Sequence, residues 1–422
     1  MTAYSSLCQT INKSIPFCFR LSWTIFITFA HIINLYNQIP MENKLLKNGS
    51  RVVWLDTVRF VAMFLLVCCH CADPFNASAT AVDADGIKLW GAIEGSMFRP
   101  CVPLFVMITG ALLLPVRGDM LSFYKKRIGR VFWPFLLWTV LYCISPAVIH
   151  TLGGDSSTYH LFFPFGGEEF EGGSLNACLL AMVKSPLNFS SVFVHAWYIY
   201  LLIGLYLYMP IFSAWVGQAS TRAKVAVLGV WGVTLLFPYY NYFVDQYLWG
   251  TCAWNAFSPL YYFAGFNGYL LLGHVLRNVE WSLPKTLAIG IPSMLIGYAI
   301  TFIGFRHMST LPEPTDTMLE LFWTYNSPNV VILTFPLFMI CKKIRITSPR
   351  VRSLLSNLTL CGFGIYMVHY FFIGPSVRLV EIIGVPIPLQ IPLGAVLAFA
   401  ASWFVAFIGH RALGKRAKYV LG

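Results

Sequence analysis

From Val53 onward, long apolar runs alternate with short polar breaks, and that rhythm predicts the architecture. Ten runs are long enough to cross a hydrocarbon core as helices: about 53–72, 93–115, 131–150, 196–216, 223–240, 257–276, 286–304, 322–341, 354–374 and 387–409. Helices are required because unpaired backbone groups are too costly in lipid for irregular structure. The expected fold is therefore all-α, a polytopic integral membrane helix bundle with ten transmembrane helices. The breaks alternate in charge. Only Lys88, Lys184, Arg306 and Arg378 fall in the outside loops, whereas Lys44, Lys47, Lys125, Lys126, Arg127, Arg130, Lys342, Lys343 and Arg416 are among the many inside. Acids such as Asp83, Asp85, Glu168, Glu169 and Glu313 show the opposite bias. The positive-inside rule then puts both termini in the cytoplasm.

Upstream of these runs, Leu21 to Leu35 is apolar but spans only 15 residues, against the roughly 20 a crossing needs. No small-x-small cleavage site follows it. Residues 1–45 read as an N-terminal extension on which nothing catalytic depends, either an upstream-start artefact or a loose extra helix, and residues 46–422 as the working domain. In the longest outside loop, Leu175 to Lys184 is amphipathic and suits the membrane surface.

Composition agrees with the pattern. Apolar residues make up 57% of the 422 and charged residues 11%, against roughly 25% in soluble proteins. The excess of 29 Lys+Arg over 17 Asp+Glu would suggest nucleic acid in a soluble chain, but here the cations punctuate apolar runs and report topology. The eleven cysteines lie mostly inside the runs and read as small apolar filler.

Few ionisable residues remain inside the spans, and such residues usually face a polar cavity and mark function. The first span carries Asp56, Arg59 and His70, the second Glu94 and Arg99, and the ninth His369. Asp56 and Arg59 are three apart and can pair. Arg59 and His70 are eleven apart, so they point the same way, roughly 16 Å apart along the axis. One stripe of the first helix thus offers a cation near the cytoplasmic mouth and an imidazole near the outer end. The structural alternative is an ion pair plus a hydrogen-bonded core histidine. Cys68-Cys69-His70-Cys71 looks like a metal cluster, but neighbours on a helix diverge by about 100° and cannot converge on one ion, so no metal is expected.

The inner loop FYKKRIGRVFWP brings Lys125, Lys126, Arg127 and Arg130 to the third span. Plain anchoring and a phosphate clamp for an anionic cytosolic ligand both fit it. ATP and NAD lack a Gly-rich loop. His195-Ala-Trp197-Tyr opens the fourth span, where a Trp-Tyr pair is most often an interface anchor. His369, in Gly-Ile-Tyr366-Met-Val-His369, lies deeper.

Several of these strings resemble the membrane acyltransferase-3 family, particularly the small O-acetyltransferases of surface polysaccharides. WLDTVRFVAMFLLVCCH resembles its Leu-Asp-x-x-Arg segment followed by His. RPCVPLFVMITGALLL is similar to its second-span motif, with Thr109 in place of the usual Ser before Gly110. KKRIGRVFWP, HAWYIYLLIGLYLYMPI and GFGIYMVHYFF resemble its basic loop, its His-x-Trp-Tyr segment and its Gly-Ile-Tyr-x-x-His helix. The resemblance implies transfer of an acyl group, usually acetyl, from cytosolic acyl-CoA to a hydroxyl of a surface or lipid-linked glycan, at the plasma (inner) membrane. No bound cofactor is implied; acyl-CoA is a co-substrate.

Carried over by position, His70 and Arg59 are catalytic with Arg99 beside them. Lys126, Arg127 and Arg130 lie near the CoA phosphates. Asp56, Trp197, Tyr366 and His369 play supporting parts. Imidazole suits His70 as general base or transient acyl carrier, since it titrates near operating pH. The rival reading is a transporter or flippase for a lipid-linked or anionic solute, which broken helices and an internal repeat would favour. A sensory or scaffold role has no positive feature behind it.

Overall fold

The computed structural model describes residues 53–76 and 86–422. The expectations for residues 1–45, and for Asp83 and Asp85, lie outside the described residues. Within them the chain is helical, and the β-type pairing is one isolated bridge between Cys252 and Asn255.

The helices are α1 (Val53–Asn76), α2 (Ile87–Met97), α3 (Cys101–Leu113), α4 (Met120–Thr151), α5 (Ser156–Phe162), α6 (Glu168–Glu171), α7 (Leu175–Lys184) and α8 (Trp197–Gln218). They continue with α9 (Thr221–Thr234), α10 (Phe237–Phe243), α11 (Asn267–Arg277), α12 (Leu283–Ser309), α13 (Asp316–Glu320) and α14 (Pro328–Lys343). The last four are α15 (Pro349–Leu360), α16 (Gly362–Val368), α17 (Tyr370–Ile382) and α18 (Ile387–Leu413). Polar residues just ahead of several helices set where they start. Asp119 accepts from Ser122 N at 2.8 Å to open α4, and Ser220 accepts from Ala223 N at 3.2 Å to open α9.

Seven stretches among the described residues are long and apolar enough to span a membrane, and the pair α15–α16, bent by 52°, makes an eighth if counted as one. The seven match the expected spans at 53–72, 93–115, 131–150, 196–216, 223–240, 286–304 and 387–409. The expected span at 257–276 is instead a 3-10 turn over Ser258–Phe263 followed by α11, only 11 residues long. That at 322–341 is α14, of 16 residues, and that at 354–374 is three pieces. Gly268 to Arg277 of α11 are all buried, as is most of α14. Lipid demands an unbroken helix only where it touches the backbone, so helices sheathed in protein can be short or broken. By contrast α12 and α18 expose Leu295, Ile303 and Phe404, as lipid-facing helices do.

The described chain forms two compact units. One comprises Val102–Leu114 and Ala214–Ile344. In it α12 packs along α14, and a Cβ on Gly297 would lie 2.8 Å from the Asn329 carbonyl oxygen. Asn329 is buried and satisfied: it donates to Thr301 Oγ1 and the Phe322 carbonyl, both at 2.8 Å, and accepts from the Tyr239 hydroxyl at 2.7 Å. Helices α3 and α11 cross on two glycines. A Cβ on Gly110 would sit 1.9 Å from the Leu270 carbonyl oxygen, and one on Gly273 would sit 2.0 Å from that of Met107. His274 and Arg277 then donate to the carbonyls of Leu114 and Ala111 at the end of α3, at 3.1 and 2.5 Å. Lys342 in turn donates to those of Arg277 and Val279 at 2.7 Å. Cations at helix C-termini are favoured by the dipole.

The other unit comprises Val53–Cys101, Pro115–Ser213 and Arg345–Gly422. Here α1 packs against α2, α15 and α18, with Phe60 and Phe64 set edge-on to Phe399 at 5.9 and 5.6 Å. Helix α7 exposes Leu175, Leu180 and Val183, the amphipathic face expected at a membrane surface. Asp155 caps α5, accepting from Thr158 Oγ1 at 2.7 Å, Thr158 N at 2.9 Å and Ser157 Oγ at 2.9 Å. Those bonds, the Thr158 hydroxyl first, hold its carboxyl down at about 2.

Candidate active site

Three imidazoles from three different segments of the second unit converge. His70 lies in the last turns of α1. His195 lies in the 3-10 turn Ser191–Ala196 ahead of α8, a turn interrupted by the non-helical Phe193. His369 is the joint between α16 and α17. The ring centroids of His70 and His369 are 5.3 Å apart, those of His195 and His369 5.0 Å, and those of His70 and His195 6.4 Å. Tyr370 closes the group, 5.6 Å from His70 and stacked on His195 at 5.0 Å.

Two tyrosine hydroxyls hold the frame. Tyr366 donates to the His195 carbonyl at 2.5 Å and Tyr142 to that of Met367 at 2.7 Å, which ties the broken α16–α17 segment to the turn before α8 and to α4. Tyr366 of the Gly-Ile-Tyr-x-x-His string is thus one of the two ties. Trp197, predicted as support, opens α8 with its ring against Tyr198.

His70 Nδ1 donates to Asp73 Oδ2 at 2.7 Å, one turn further along α1. The ionised carboxylate only accepts, so it holds the proton on Nδ1 and leaves Nε2 with its lone pair. His369 Nδ1 donates to the Tyr366 carbonyl at 2.7 Å. Buried polar groups are nearly always paired, and each exception asks for a reason. Four exceptions gather here: both ring nitrogens of His195, Nε2 of His369 and the hydroxyl of Tyr370 are buried without a hydrogen-bond partner among the described residues. A cluster of unsatisfied donors and acceptors is what a polar ligand would complete.

The arginines predicted from sequence divide between two places. Arg99 is buried in the turn between α2 and α3, donates to the Gly95 carbonyl at 3.2 Å, and lies close enough to His70 to act on its charge. Arg59 is half-buried and pairs with Asp56 at 2.8 Å, as its spacing predicted. Together with Arg127 and Arg130 it lies close enough to Tyr206 to act on its phenol. Arg130 also donates to the Gly422 carbonyl at 3.1 Å, and Lys126 is exposed on the same helix.

Among the described residues no group of three His, Cys, Asp or Glu is arranged to hold a metal ion. Cys68, Cys69 and Cys71 are buried free thiols.

Sequence reasoning missed Asp73, ranked His195 below its Trp-Tyr neighbours, and passed over Tyr370. The His-x-x-Asp spacing on one helix face was a usable signal for the first. For His195 the His-x-Trp-Tyr string was one as well, and for Tyr370 there was none, since only the fold brings it to His70.

A family model described as an acyltransferase domain (Acyl_transf_3) matches residues 52–407. No curated protein and no solved structure matches the chain.

Proposed function

Because the chain belongs to this family of acyltransferase domains and carries several membrane spans, and is thus a membrane acyltransferase, we propose that it moves an acyl group, acetyl first among them, from cytosolic acyl-CoA to a hydroxyl of a surface or lipid-linked glycan. The observation that carries this reading is the His70–Asp73 pair beside the unsatisfied His195, His369 and Tyr370.

In this mechanism His70 Nε2 takes the proton of the acceptor hydroxyl as its oxygen bonds to the thioester carbonyl carbon. Asp73 offsets the charge on the imidazolium, which favours the base role over an acyl carrier. Arg99 offsets the charge growing on the carbonyl oxygen. Collapse breaks the carbon–sulfur bond, and the CoA thiolate leaves with the proton returned by His70. Arg59, Arg127 and Arg130 around Tyr206 suit the phosphates of the donor, with Lys126 at the rim.

The topology proposed with it has ten crossings in the inner membrane, in which α11, α14 and the bent α15–α17 are added to the seven long spans. Both termini are then cytoplasmic, in keeping with the loop charges. The test is release of free thiol from acetyl-CoA by purified protein in the presence of glycan acceptor. A His70→Ala variant that inserts and folds normally is expected to lose at least about a hundredfold in rate; an unchanged rate removes His70 from the chemistry. The breaks on either side of α16 also suit the transporter or flippase reading. Solute uptake by vesicles without thiol release would favour it instead.

A further inference from the structure

Two imidazoles in the cluster are anchored alike. His70 Nδ1 donates to Asp73 and His369 Nδ1 to the Tyr366 carbonyl, both at 2.7 Å. A carbonyl oxygen can only accept, so the proton of His369 is on Nδ1, and its neutral ring presents Nε2 as a bare acceptor. In the base form that the proposed function requires of His70, with Nδ1 held by Asp73, its Nε2 is likewise an acceptor. Two lone pairs cannot satisfy each other across rings whose centroids are 5.3 Å apart. Nor does His195 supply the missing donor, because neither of its ring nitrogens makes a hydrogen bond. The His369 Nε2 is fully buried, so bulk water cannot stand in. What fits is a ligand carrying two hydroxyl donors side by side.

We infer that His369 is a specificity-determining residue: its Nε2 accepts a hydrogen bond from a second, non-reacting hydroxyl adjacent to the one His70 deprotonates, so the acceptor is a vicinal polyol such as a pyranose ring and not an isolated alcohol. Tyr370, whose hydroxyl is also buried and unpartnered, stacks against His195 and in this proposal bonds either hydroxyl oxygen. This rests on the acyl-transfer reading, with the role of His70 as its premise. A site built around a buried acceptor rejects an analogue lacking the matching hydroxyl, because the acceptor is left unpaired.

The test uses the purified full-length protein, acetyl-CoA, and methyl hexopyranosides with each of their monodeoxy derivatives as probes, and follows kcat/KM and the position acetylated. Removing the hydroxyl next to the acetylated one is expected to lower kcat/KM about tenfold or more. His369→Ala should lower the parent glycoside by the same factor and leave the deoxy probe no worse. His369→Gln, which keeps an acceptor oxygen, should recover part of the loss. Equal losses on both probes in His369→Ala, with an unchanged unfolding midpoint, would make His369 structural and overturn the inference. So would a wild type that acetylates every monodeoxy probe as well as its parent, or that accepts no vicinal diol. Thiol release from acetyl-CoA that His70→Ala abolishes leaves acyl transfer standing in each of those cases. Thiol release that His70→Ala leaves intact removes the premise and this inference together.

Discussion

Asp73 shows how much one side chain can change the meaning of another. A histidine alone near the end of a membrane helix can be a satisfied core residue. With a carboxylate at 2.7 Å from Nδ1, His70 has a set tautomer and a partner for the charge it would gain. Asp73→Asn keeps the shape and a hydrogen bond but loses that charge, so kcat should fall by about tenfold to hundredfold while the KM for acetyl-CoA stays put. A kcat equal to wild type in steady-state kinetics would reduce the pair to a structural contact. The pairing of Arg59 with Asp56 was legible from their spacing. Arg99 lies close enough to His70 to act on its charge. Arg59, on the same helix, belongs with Arg127 and Arg130, because about 16 Å of helix axis separates it from the imidazole.

At the level of elements, the motif strings divide by purpose. In the second-span motif, Gly110 is there because α3 passes α11 backbone to backbone. A methyl group 1.9 Å from a carbonyl oxygen cannot be absorbed by a side-chain rotation, so the helices must separate. Gly110→Ala should destabilise by about 1–3 kcal/mol, read as a lower thermal midpoint in detergent. Gly229→Ala on α9, where a Cβ meets open space, should be neutral or slightly stabilising. Equal midpoints for the two variants would sink the close-crossing account. The exposed cap of α5 carries a pH dependence of definite sign. The folded Asp155 carboxyl sits at about 2, below its ordinary value near 4, so its contribution is present at neutral pH and fades as pH falls towards 2. At α11, α14 and α15–α17 hydropathy marked the segments but not their short or broken form, and for a reason. Apolar content reports the removal of a segment from water, and a segment buried in protein scores like one buried in lipid while being free to stop short or bend.

The whole molecule is a membrane acyltransferase whose donor and acceptor are proposed to approach from opposite faces. In the proposed topology the arginine group that suits CoA lies on segments whose loops are basic, and the imidazole cluster lies towards the outer end of α1. Acetyl-CoA does not cross bilayers, so the arrangement has a direct readout in sealed vesicles. Donor supplied to the cytoplasmic face should support acetylation, and donor supplied only to the outer face should not. Arg127→Ala with Arg130→Ala should raise the KM for acetyl-CoA about tenfold or more while changing that for acetyl-pantetheine, which lacks the nucleotide phosphates, far less. Transfer that is indifferent to the face of addition would remove the proposed sidedness.

The amino-acid order alone determined the solvent of this protein, the helical class, most of the spans, and a short set of ionisable residues worth attention, because burial in lipid and the cost of charge within it act residue by residue along the chain. It could not determine which of those residues meet. His70, His195 and the consecutive His369 and Tyr370 come from three segments more than a hundred residues apart, and only the packing of α1, the turn before α8 and the broken α16–α17 joint makes those segments neighbours. Side-chain chemistry is local and can be read in one dimension, whereas a site is a coincidence of distant segments and exists only in three.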